Sequence, residues 1–157
     1  MMNSLFDEEI RPLHSMRDHL LTVVSDDDLD KPMPGWNPTL GGLLIEMGDL
    51  EGVYTHSFET YVLDWAHRQL PPPKPVSVAD LRAWFDAQDN AMKAALDRIS
   101  EDELKIDRID RGGGFIASPF VQCEVYRDAV YIVYGKLSVY LKALERNAGE
   151  QWAAGIG

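Results

Sequence analysis

Between residues 39 and 65 the chain places Leu43, Leu44, Met47, Leu50, Tyr54, Phe58, Tyr61 and Trp65 at spacings of three and four. That is the period of an α-helix, and it is incompatible with the two-residue alternation of a half-buried strand. A helix this long with one apolar arc has to be covered by other elements, and three more segments carry the same period. Phe6, Ile10, Leu13, Arg17, Leu20 and Val24 mark the first. Leu81, Trp84, Phe85, Met92, Leu96 and Ile99 mark the third. Cys123, Tyr126, Val130, Val133, Tyr134, Leu137, Leu141 and Leu144 mark the fourth. The spacing predicts helices over 10–24, 39–67, 78–98 and 119–146.

The punctuation agrees. Pro12 sets the start of the first regular helix near Ile10, or kinks an earlier turn. "KPMPGWNP" and "LPPPKPV" are too rich in proline and glycine for regular structure, and the second is a stiff extended connection. Ser77 with Asp80 forms a capping box for the third helix, and Ser118–Pro119 supplies an N-cap and first-turn proline for the fourth. "VSDDDL" (24–29) and "ISEDEL" (99–104) close the first and third helices alike, a serine capping an acidic turn that ends in an apolar anchor. "KIDRIDRGGGFIASP" alternates around three glycines and reads as a small hairpin or ordered loop. The expected fold is all-α, a four-helix bundle with a long crossover connection and a short hairpin or loop before the last helix. One domain, residues 1–150, is expected, followed by a C-terminal tail at 151–157.

Composition narrows the function. Of 157 residues, 26 are acidic and 15 basic, a formal net charge of −11. No Lys/Arg cluster exists to neutralise phosphates, so no nucleic-acid partner is expected. No run approaches a membrane span, and the start, "MMNSLFDEEIRPLHSM", is acidic where a signal peptide is basic. With Cys123 as the single cysteine no internal disulfide can form, and a cytoplasmic location is expected. Cys123 falls on the core stripe and reads as a buried structural thiol. "RGGGF" lacks the lysine and setting of a phosphate loop. His14 and His19 flank the first stripe on different faces, which disfavours a shared metal, and His56 reads as a surface histidine.

Four stretches, "WNPTLGGLLIEMGDLE" (36–51), the two serine-acidic corners and "YGKLSVYLK" (134–142), resemble the DinB/YfiT-like superfamily of metalloenzymes. The resemblance implies a commonly dimeric four-helix bundle. Several members are metal-dependent transferases or isomerases that use low-molecular-weight thiols such as mycothiol or bacillithiol. The family's three metal-binding histidines align with Glu46, Ala129 and Val133 here, the last two shortly before Gly135-Lys136-Leu137. Ala129 and Val133 offer no lone pair, and one carboxylate does not hold a transition metal. No cofactor is therefore expected, unless a rearranged site that recruits Glu51, Glu124, His14 or His19 binds Zn or Ni.

Glu46 and Glu51 fall near opposite margins of the second helix's arc. Arg127 either pairs with one of them across the bundle or lies at its own stripe's margin with its head in water. With Tyr126, Tyr134 and Trp36 they make a candidate small-ligand site; no residue is assigned a catalytic role. Val121, Val125, Ile132 and Val139 give the last helix a second apolar strip, with Ala129 and Ala143 at its margin. Either a second copy of the chain covers that strip, making a homodimer, or the 105–116 segment does. The expected function is a metal-free small-ligand-binding or regulatory dimer. The alternative is a metal-dependent thiol S-transferase or isomerase with a rearranged site.

Overall fold

In the computed structural model, residues 4–35, 38–74 and 76–156 are described. A π-helical turn, Phe6–Ile10, runs without a break into α1, Arg11–Val23. Pro12 has no N–H to donate and crowds the carbonyl four residues back, so a widened turn beside it relieves both problems. The Ser25 corner forms the short α2, Asp26–Leu29. The Ser25 N–H donates to Asp28 Oδ2 at 2.9 Å and Leu29 is buried, as the acidic-turn reading expects.

Next comes α3, Leu40–Thr60, capped by Thr39, whose hydroxyl accepts from the Gly42 N–H at 3.0 Å. This helix is shorter than its periodicity predicts. Tyr61 takes a left-handed conformation (φ 60°), and the chain leaves to bond with a distant segment. The Leu63 N–H donates to the Asp110 carbonyl, and the Asp110 N–H donates to that of Tyr61. Trp65, counted in the apolar arc, is consequently exposed.

The crossover 61–77 leads to α4, Val78–Leu96, where Ser77 accepts from the Asp80 N–H at 3.1 Å and donates to Asp80 Oδ2 at 2.7 Å. The second acidic corner makes a 3-10 turn, Glu103–Lys105. Hydrogen bonds from the Ser100 backbone N–H, Arg108 and the Ser100 hydroxyl pull the Glu103 carboxyl down to about 2. A hairpin follows, β1 Ile109–Asp110 antiparallel to β2 Ile116–Ala117, with Ile109 opposite Ala117. Ser118 and Pro119 then start α5, Pro119–Ala143.

The long helices α1, α3, α4 and α5 form the bundle. α5 runs antiparallel to α3. Gln122 Nε2 donates to Ser57 Oγ at 2.8 Å near one end, and the Tyr140 hydroxyl donates to the Pro38 carbonyl at the other. On its α4 side, α3 presents Gly48, where a Cβ would stand 2.2 Å from the Trp84 ring. Glycine there is what allows the indole to lie on the helix backbone. Near the C-terminus, the short α6 (Glu150–Gly155) sends Trp152 of the expected tail into the core, where its indole N–H donates to the Met16 carbonyl at 3.0 Å. Cys123 is buried near the start of α5, and that burial pushes its thiol well above the usual range. No helix among the described residues is long and apolar enough to cross a membrane.

Candidate functional site

Two places carry the polar side chains of interest, one inside the bundle and one on its surface. Inside, the polar residues arrive on apolar stripes. Arg17 shares the buried face of α1 with Leu13 and Leu20 and Glu51 that of α3 with Met47 and Tyr54, while Asp89, one turn after Phe85, sits half-buried at the margin of the buried face of α4. When the helices close, these groups must satisfy one another, because leaving a charge buried alone is prohibitively costly.

They do so around Arg17, which is fully buried. Its Nη1 donates to Glu51 Oε2 at 3.1 Å and to Asp89 Oδ1 at 3.2 Å, and its Nη2 to Asp89 Oδ2 at 3.0 Å. Nε and Nη2 also reach the exposed Asp18 at 3.0 and 2.8 Å, and the guanidinium lies 4.3 Å from the centre of the Phe85 ring. Burial opposes the guanidinium charge, but Glu51 and Asp89 outweigh it and keep Arg17 protonated.

His14 extends the network. Its Nδ1 lies 2.7 Å from Asp89 Oδ1 and its Nε2 lies 2.7 Å from the Tyr126 hydroxyl. Burial holds the imidazole below its ordinary range, so it is neutral at neutral pH. Burial would also raise Asp89, but hydrogen bonds from His14 and the charge of Arg17 hold its carboxyl far below the usual range. An ionised Asp89 can only accept, so the imidazole proton sits on Nδ1 and the Tyr126 hydroxyl donates to Nε2. Tyr134 closes the other side. Its hydroxyl donates to the Leu13 carbonyl at 2.6 Å and accepts from the Arg17 N–H at 3.2 Å.

Glu51 is the strained member. It is 1% exposed, and its Oε1 has no hydrogen-bond partner. Burial pushes this carboxyl well above the usual range, and Arg17, shared among several carboxylates, does not offset it.

On the surface, Glu46 faces away from this cluster. It lines a groove of about 430 Å³ together with Met33, Pro34, Pro38, Leu43, Lys136, Val139 and Tyr140. Neither Glu46 nor Lys136 has an ion-pair partner among the described residues.

The site residues expected from sequence thus divide. Glu51, Tyr126 and Tyr134 belong to the buried cluster, whereas Glu46 lies on the outside. Arg127 is partly exposed and reaches neither glutamate. Its nearest carboxylates are Asp128 at 3.8 Å and Glu9 and Glu124 at 3.9 Å, which is the reading with its head in water. Trp36 lies outside the described residues. The cation that pairs with Glu51 is Arg17. His14, placed at a stripe's margin by sequence, is 1% exposed, because the bundle closes over that margin too. His19 is exposed, and His56 is half-buried and stacks on His67 with ring centres 3.7 Å apart. Asp89 carried no expectation. The available signal was a charge on the apolar stripe of α1 and of α3 and another beside that of α4.

The metal positions of the DinB/YfiT-like pattern do not fit a metal in this chain. Ala129 and Val133 present no donor atoms, and Glu46 is a lone exposed carboxylate.

Along α5, Val121, Ile132 and Val139 are exposed, Ile132 at 65%, with Phe120 and Tyr131 beside them. Val125 is half-buried against the core, as is Leu104 of the 3-10 turn. The segment after α4 therefore leaves most of the strip uncovered.

This arrangement of helices has a known counterpart. The fold matches that of a DinB-like protein, YjoA, from Bacillus subtilis with a TM-score of 0.71, over 92% of this chain and 94% of that one. The two sequences are 12% identical, so the likeness is one of fold. No family model matches the sequence, and no curated protein matches it. The chain has the DinB-like all-α fold that its sequence motifs imply.

Proposed function

We propose that this DinB-like chain is a small-ligand-binding homodimer whose ligand occupies the groove between Glu46 and Lys136, with no metal at positions 46, 129 and 133. One observation carries the reading: a groove of about 430 Å³ with apolar walls and an unpaired carboxylate and ammonium on its lining. Mostly apolar clefts of a few hundred Å³ with a few polar groups are where small molecules bind. One acid and one base favour a molecule that itself carries both charges on an apolar stem. Amino acids, dipeptides and low-molecular-weight thiols with free amino and carboxyl groups share that chemistry. Val139 lines the groove and also belongs to the exposed strip of α5, so a second copy seated on the strip would help enclose the ligand.

Thermal shift and calorimetry with a panel of those compounds test the reading. A saturating ligand should lose roughly tenfold or more in affinity in Glu46→Gln and in Lys136→Met, the loss of a charge-assisted hydrogen bond. No binder in the panel, or binding indifferent to both changes, would overturn it. Light scattering at micromolar concentration should report a dimer, and a monomer would remove the assembly half of the proposal.

The alternative, metal-dependent thiol S-transfer, is favoured by one observation. His14, Glu51 and Asp89 are the one group of three such donors brought together among the described residues. Turnover of a thiol conjugate only with added divalent ion would support it.

A further inference from the structure

We infer that His14, Glu51 and Asp89 form a binding site for a single divalent transition-metal cation, such as Zn²⁺ or Mn²⁺, in the middle of the bundle. One donor atom from each of three helices converges there, all within 4.8 Å of one another. An imidazole nitrogen with two carboxylate oxygens is a donor set that suits such ions. An independent sign of a missing partner is Glu51 Oε1, buried, without a hydrogen bond, and 3.9 Å from His14 Nδ1.

Charge and geometry agree with this. Two carboxylates, Glu51 and Asp89, share the one guanidinium of Arg17, so a cation beside them meets more acidic than basic groups. Arg17 does not exclude the ion from the open side. It holds Glu51 through Oε2 and Asp89 through Oδ2 and a share of Oδ1, which leaves Glu51 Oε1 free, while His14 Nδ1 lies 2.7 Å from Asp89 Oδ1 and 3.9 Å from Glu51 Oε1. By fixing both carboxylates it plays the orienting part that outer hydrogen bonds play around bound metals. Asp89, 22% exposed, marks the side by which an ion reaches the three donors.

The test is calorimetry and thermal shift on full-length, chelator-stripped, untagged protein titrated with ZnCl₂ and with MnCl₂. Expected are one ion per chain and a raised Tm. Glu51→Gln, which keeps the shape, and Asp89→Asn should each weaken binding by roughly tenfold or more. Far-UV circular dichroism would show that both variants are folded. His56→Gln/His67→Gln should bind as the parent does, which separates this site from surface histidines. No saturable binding at millimolar ion, or binding unchanged in Glu51→Gln and Asp89→Asn, overturns the assignment. Neither outcome bears on the Glu46–Lys136 groove, which is probed by its own variants.

Discussion

Arg17→Met is the most informative single change, because it removes the cation that holds the buried cluster together while keeping much of the side chain's volume. Arg17 donates to Glu51 at 3.1 Å and to Asp89 at 3.2 and 3.0 Å, and it stacks on Phe85 at 4.3 Å. Its bonds to Asp18 count for little, because that carboxylate is exposed and water screens it. Removing one partner of a buried pair costs about 3–5 kcal/mol. The low end applies here, since Asp89 retains 22% exposure. A loss of about 3 kcal/mol corresponds to roughly 6–12 °C in Tm for a chain of this length. Urea unfolding of chelator-stripped protein, followed by circular dichroism at about pH 7, measures it. The Asp89 carboxyl is held below its unfolded value, so it stabilises the fold above that value and the contribution fades as pH falls toward the folded one. The gap between parent and variant should therefore narrow in acid, near about pH 3. Arg17→Met/Asp89→Asn should recover part of the loss. A cost under about 1 kcal/mol, or no recovery in the double variant, would refute a coupled buried network.

Three further outcomes are expected. Burial raises the Glu51 carboxyl, which costs the metal-free fold increasingly as pH rises above the unfolded value of about 4.3; Glu51→Gln should accordingly flatten the decline in stability from about pH 5 upward, seen in urea midpoints across pH. Gly48→Ala should destabilise by about 1–3 kcal/mol despite alanine's better helix propensity, because its Cβ would meet the Trp84 ring at 2.2 Å. Ile132→Asp should keep the helical circular dichroism while shifting the assembly to monomer, with light scattering as the measurement; an unchanged dimer would place the interface elsewhere than on this strip of α5.

Much of the architecture was legible because it is local. The periods of four helices, the caps at Ser25, Ser77 and Ser118, and the glycine-centred hairpin each depend on residues within a few positions of one another, and each is present. The outer strip of α5 was legible for the same reason, since Val121, Ile132 and Val139 share a helix face whatever surrounds it. The centre of the bundle was only half legible. Glu51, Tyr126 and Tyr134 stood out on α3 and α5, but their partners on α1 and α4 did not, because nothing in the local spacing of Arg17 or Asp89 says which helix each will face.

The sequence by itself determined that α3 is an amphipathic helix with a carboxylate near each edge of its apolar arc. Only the tertiary structure decided that Glu51 is enclosed and Glu46 left outside, because α1 and α4 close over one edge alone. It also decided that α3 ends at Thr60, although the apolar period runs on to Trp65. There the backbone gains hydrogen bonds to Asp110, and a pairing across that length of chain is invisible to any local pattern. Local periodicity sets which residues share a face. Burial is set by what packs on that face, which is a property of the assembled helices.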